Sequence, residues 1–218
     1  MNMVQEMNES RLTMGTTERR QREAARRRQA ILDAARKVFW EHGHAGATMP
    51  LIAEEAELAP GTLYLYFPSK DALYVELLLE GYDLLAEHLR QAAGRHAEPA
   101  EQAAALIEAF FAFARKNPEY FDIMFFVLQR EGGRGWEDSF PAEQTARLSA
   151  REAACKQAAA DVLERAGFAA GRRRGEVVDA VWGMLAGVVF YFRNDDAFDA
   201  VAAEARRLLL SAVFGEAR

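Results

Sequence analysis

The sequence predicts an all-α chain of about nine helices: an N-terminal three-helix helix-turn-helix domain, then a larger helical body. Three observations carry that prediction. The chain has 218 residues, only 6 of them Pro, and is rich in Ala, Leu, Glu and Arg, which favour helices. Apolar residues recur three and four apart, and no run alternates β-branched residues as a strand would. Breaks bearing Gly or Pro separate these stretches, near His42-Gly43, Gly94 to Pro99, Asn117-Pro118 and Gly132 to Pro141. Half the residues are hydrophobic, enough for a well-buried core at this length.

Residues 1–22 are polar and without periodicity, and are expected to form a disordered arm. The next domain spans 23–69. Its first helix begins near Glu23 and turns Ile31, Leu32, Ala35, Val38 and Phe39 to one face. Thr48 is placed to cap a second, short helix carrying Leu51, Ile52 and Ala56. After Leu58-Ala59, Pro60 sits where a first helical residue is favoured, and the third helix runs to Phe67. Pro68 ends it, and Ser69 caps the next helix, with Asp71 in its first turn. Two short helices on a tight turn describe a helix-turn-helix, whose second helix lies in a DNA major groove. Charge is placed accordingly. Eight Arg or Lys face only Glu23 and Asp33 between Arg19 and Lys37, a local +6 in a chain of net −6.

The body, 70–218, opens with a long helix to about Gly94, with Leu73, Leu77, Leu78, Tyr82, Leu85 and Leu89 inward. Helices then span about Pro99 to Arg115 and Pro118 to Arg130. An Ala-rich helix follows and reaches Ala166-Gly167. The last two run roughly Gly175 to Phe192 and Asp195 to Phe214. The aromatic cluster around Phe110, Phe111, Tyr120, Phe121, Met124 and Phe125, with Trp182, reads either as core or as the wall of an apolar pocket. Arg115, Arg130 and Glu131 stand near enough to anchor a polar group, with surface exposure their default. From Val177 the penultimate helix is so apolar that it is expected to be buried nearly all round. Ala180, Gly183 and Gly187 make one flank small. Val201, Ala205, Leu208, Leu209 and Ala212 make a stripe on the last helix, for intrachain core or for a four-helix interface with a second copy.

Thr48, Ile52, Ala53, Ala56, Gly61, Tyr64, Phe67, Lys70 and Leu73 stand at the intervals found in TetR-type (tetracycline-repressor-like) transcriptional regulators, which the stretch from about 25 to 85 resembles. Two positions depart from the pattern: Glu57 replaces a turn Gly, and Ala59 replaces a capping Ser. The resemblance implies a homodimeric, sequence-specific regulator, a repressor released from a palindromic operator by a small hydrophobic ligand. It implies that Pro60, Gly61, Thr62, Tyr64 and Leu65 meet the groove, and that Thr48, Tyr66 and Lys70 hold phosphates. Placed before such a motif, Arg26, Arg27 and Arg28 read as phosphate or minor-groove contacts. It further implies a ligand pocket in the body, dimerisation through the last two helices, and the long helix from Lys70 as the lever between ligand and DNA.

Other classes find less support. No nucleophile-base-acid set or phosphate-cradling glycine loop suggests an enzyme or a bound cofactor. His42 and His44 lack nearby partners to complete a zinc site, so no metal is expected. The single Cys155 fits a reducing cytoplasm and reads as a small buried helix residue. Arg174, Asp179 and Arg193 argue against a membrane span. A ligand-independent DNA-binding regulator, and a helical adaptor that has lost DNA binding, are the remaining alternatives.

Overall fold

This computed structural model describes residues 3–126, 140–167 and 172–215, with side chains described at 18–126, 140–167 and 174–215. Among the described residues there are nine helices and no strand. They are α1 (Met3–Gly46), α2 (Met49–Glu55), α3 (Pro60–Tyr66), α4 (Lys70–Ala93) and α5 (Pro99–Lys116). Then come α6 (Pro118–Phe125), α7 (Ala142–Arg165), α8 (Arg172–Phe192) and α9 (Phe198–Phe214). The chain divides into two compact units, 1–74 and 75–218. The division lies within α4, five residues past the expected start of the body, because Leu73 and Tyr74 belong to the core of the first unit.

In the first unit α1 is longer than expected. The helix begins at Met3, inside the segment 1–22 expected as a disordered arm. Pairs one turn apart, Glu18–Arg22 at 3.2 Å and Glu23–Arg27 at 3.6 Å, support its described exposed end. Its regular course ends at Gly43, whose φ of 72° and ψ of 177° leave the helical region. Lys37 ties α1 to α2 through Glu55 at 2.8 Å. Ile31, Ala35, Phe39, Ile52, Ala53, Leu63, Leu73 and Tyr74 are all fully buried between α1, α2, α3 and the start of α4.

In the second unit the inward set of α4 is as expected: Leu77, Leu78, Tyr82, Leu85 and Leu89 are buried. Gly81 lets α6 close on α4, since a Cβ there would lie 2.6 Å from Met124 Sδ and 3.3 Å from Tyr120 Cδ1. Asn117 is the joint between α5 and α6. Its backbone N–H donates to Phe113 O at 2.8 Å before Pro118 restarts the helix. Expected helix ends differ by a few residues. Residues 127–139 lie outside the described ones, so the expected course of α6 to Arg130 does too. The last helix starts at Phe198 rather than Asp195, because Asp195 Oδ1 accepts the Ala197 N–H at 2.7 Å and holds a turn.

Candidate DNA-binding and effector sites

The helix-turn-helix is built from capping chemistry. Thr48 Oγ1 accepts the Leu51 N–H at 3.3 Å and starts α2. At the other end the Leu58 N–H reaches Ala53 O (2.8 Å) and the Glu57 N–H reaches Glu54 O (3.0 Å). These are the paired bonds of a Schellman turn, with Glu57 in the left-handed position at φ 54°. Pro60 then opens α3 without any side-chain cap from Ala59. Leu63 points into the core at 0 % exposure, which fixes the rotation of α3 and turns Tyr64 and Leu65 outward, 52 % and 84 % exposed. Pro60 and Gly61 are exposed beside them, with Thr62 and Tyr66 half-buried.

Around this helix stand the expected phosphate contacts. Thr48 is exposed. Lys70 Nζ donates to His44 O at 2.6 Å, which positions an ammonium that keeps two further donors. His44 in turn packs against the Tyr74 ring at 4.9 Å and meets Asp71 at 3.0 Å. Ser69 Oγ accepts the Ala72 N–H at 3.1 Å and caps α4. Arg26 and Arg27 are exposed. Arg28 instead lays its guanidinium 4.9 Å from the centre of the Phe67 ring, fastening α1 to the end of α3.

The second unit holds an apolar cavity of about 70 Å³ between α4, α5, α7, α8 and α9. Leu106, Ile107, Phe110, Val162, Val181 and Trp182 are among its walls. Of the seven residues read as pocket wall, Phe110 and Trp182 line this cavity. Phe111, Tyr120, Phe121, Met124 and Phe125 do not, because their rings and thioether are engaged with one another and with neighbours. Phe121 stacks on Phe125 at 4.5 Å, Phe111 meets Phe198 at 5.8 Å, and Met124 lies against α4 at Gly81. The aliphatic walls carry no signal in the sequence that separates them from core. Beside the cavity Lys156 Nζ sits 5.8 Å from the centre of the Trp182 ring, held by Glu152 (2.6 Å) and Asp179 (2.9 Å). Burial draws its pKa down, but bonds to these two carboxylates outweigh that and raise it. Arg115 is exposed and paired with Asp199 at 2.8 Å, while Arg130 and Glu131 lie outside the described residues.

Residues 31–77 match the family model for bacterial regulatory proteins of the tetR family. The helix-turn-helix stretch therefore carries that family's N-terminal domain signature. It is 28% identical over 176 residues to the transcriptional activator FasR of Mycolicibacterium smegmatis, a match that covers 79% of this chain and 75% of FasR. With the transcriptional regulator UidR of Escherichia coli K12 it is 38% identical over 71 residues, 33% of this chain and 36% of UidR. This second match spans about a third of either protein. Its fold resembles that of FadR from Bacillus subtilis, solved with stearoyl-CoA, at a TM-score of 0.69 and 19% identity over 85% of this chain and 98% of that one.

In the second unit the α8–α9 surface departs from one expectation. α8 is not buried nearly all round, since only 17 % of the apolar stretch Arg174–Phe192 is buried within the chain. Ala180 and Gly183 are exposed, with Met184 at 49 % and Tyr191 at 76 %. Gly187 and Val201 are half-buried, and Leu208 and Ala212 are exposed. Ala205 and Leu209 face inward, and Leu209 lines the cavity, so the stripe on α9 is divided between two faces. One buried polar pair lay beyond sequence reasoning. Asp122, 1 % exposed on α6, takes a bidentate bond from Arg193 at the end of α8, one arm at 2.8 Å. The partners are 71 residues apart, and neither residue alone signals the other.

Proposed function

We propose that this protein is a tetR-type transcriptional regulator that acts as a homodimer in the cytoplasm, a repressor released from a palindromic operator by a small apolar effector. The rotation of α3 carries the DNA reading: Leu63 is buried while Tyr64 and Leu65 project from the opposite side. A leucine and a tyrosine so exposed suit a major groove, where Leu65 or the Thr62 methyl packs on a thymine methyl. Thr48, Tyr66 and Lys70 then hold phosphates and fix the register.

The exposed apolar face of α8 with Leu208 and Ala212 supports pairing with the same face of a second copy, and Gly183 and Gly187 have nothing within 4 Å of where a Cβ would stand. The apolar lining of the body cavity supports an apolar effector, and the stearoyl-CoA of the FadR structure makes an acyl chain the first candidate. At about 70 Å³ the cavity is far below the 300–1,000 Å³ of ordinary ligand pockets, so admitting a chain requires its walls to spread. That gives the ligand different affinities for two states, which is what a switch needs. α4 contributes Leu89 to the cavity and begins at Lys70, so its tilt is the proposed link from effector to DNA.

The deciding experiment is selection from random duplex DNA by purified protein at near-physiological salt, repeated with stearoyl-CoA and with free coenzyme A. The expected result is an inverted repeat, lost with the acyl thioester and kept with coenzyme A alone. Recovery of no motif by folded, dimeric protein refutes the sequence-specific reading. The relationship to FasR, an activator, favours one second reading, in which the ligand strengthens operator binding instead.

A further inference from the structure

We infer that the N-terminal extension of α1 is a second DNA-contacting element, in which Arg19 and Arg20 bind backbone phosphates outside the groove that α3 enters. The inference rests on the DNA-binding reading above and adds to it a site beyond the helix-turn-helix.

Three observations carry it. First, α1 runs on as helix N-terminal to the residues that pack in the core, and residues 18–27 are exposed throughout. A helical segment that buries nothing gains little from its own chain, so its cationic side chains are left facing solvent. Second, the charges on this segment are sorted. Arg22 is paired with Glu18 and Arg27 with Glu23, whereas Arg19, Arg20 and Arg26 have no ion-pair partner among the described residues. Arg19 and Arg26 are seven residues apart, as are Arg20 and Arg27, so the arginines form two adjacent stripes along two turns of helix. Third, the base of the segment is fastened to the groove-reading helix, because the Arg28 guanidinium lies over the ring of Phe67, the residue that terminates α3. From Arg28 to Arg19 the helix advances about 13 Å at 1.5 Å per residue. That reach is comparable with the roughly 12 Å width of the major groove, so Arg19 and Arg20 stand about one groove width along α1 from its contact with the end of α3.

The chemistry of the arginine fork matches phosphate, and the exposure of these groups means that they give up little on binding. They add affinity without adding sequence preference. Each arginine that neutralises a phosphate adds about 0.9 to the steepness with which log K falls against log salt.

The test uses the full chain, an operator duplex recovered by selection and a duplex of the same length without the motif. Binding is followed by fluorescence anisotropy from 50 to 200 mM salt for the wild type, for Arg19→Ala/Arg20→Ala and for Arg19→Lys/Arg20→Lys. The expected result is that the alanine pair lowers the slope by about 1.8 for each bound protomer and weakens both duplexes by the same factor. The lysine pair retains most of the slope. An unchanged slope for the alanine pair overturns the inference while leaving the operator reading intact. A loss confined to the operator duplex overturns it as well, because it assigns these arginines to base edges. If the wild type binds neither duplex, the DNA-binding reading itself has failed.

Discussion

Replacing Glu57 by Gly is expected to stabilise the protein, although it removes a side chain and adds no contact. Glu57 holds φ 54° at the Schellman turn that closes α2, where an L-residue crowds its own Cβ against the following carbonyl. That crowding costs about 1–2 kcal/mol. Glycine removes it but brings a more disordered unfolded chain, which takes back about 0.5–1 kcal/mol. The lost carboxylate also stood beside the negative end of α2's dipole, so its removal acts in the stabilising direction. The net is a gain of about 1 kcal/mol, equivalent to about 2–4 °C in Tm for a chain of this length. Thermal unfolding by circular dichroism at fixed protein concentration measures it, with Glu57→Gln as the control that removes charge but keeps the strained backbone. A Tm that falls for Glu57→Gly, or that rises equally for both variants, refutes the strain argument.

Two further outcomes follow from the body. Burial pushes the Cys155 thiol up to about 12 from 9.0, and its S–H donates to Tyr82 O at 3.0 Å. Its folded pKa is raised, so its contribution to stability is complete below about pH 9 and is lost as pH climbs towards 12; urea titrations should show that decline flattened in Cys155→Ala, and native protein should resist thiol reagents at pH 8. Asp122→Ala leaves Arg193 without its bidentate carboxylate in a site where its side chain is 20 % exposed, and is expected to cost about 3 kcal/mol in urea unfolding. A cost below 1 kcal/mol would show that water reaches Arg193 and replaces the carboxylate.

The helix-turn-helix was legible because its signals are local. Thr48, Pro60, Pro68 and Ser69 each act within a turn of their own position, and each is found at the helix end it announces. The inward set of α4 was equally plain, since one long amphipathic helix repeats its message six times. The body was legible as helices but not as a cavity. Phe110 and Phe111 are adjacent, alike and both buried, yet only the first reaches the cavity, and that choice is made by residues of α8 and α9 some seventy positions or more away. On α9, Leu208 is 48 % exposed and Leu209 8 %, a difference of one helical step of about 100° that an apolar stripe is too broad to resolve. The segment before residue 23 was ambiguous for a different reason: polarity without a core face is common to disordered arms and to helices.

If α3 enters a groove as proposed, Leu65 gives the first unit a second kind of adhesive. Water ordered over a side chain 84 % exposed is released when a methyl group or sugar covers it, and that release is indifferent to ionic strength. In the proposed DNA complex the arginines make attraction that salt erases, whereas Leu65 and Tyr64 make a residue of affinity that persists in high salt and announces itself as a negative heat-capacity change. Protein held near DNA by charge alone can slide along it, and under the proposed function the apolar side chains of α3 are what arrest it where the groove offers methyl groups to cover.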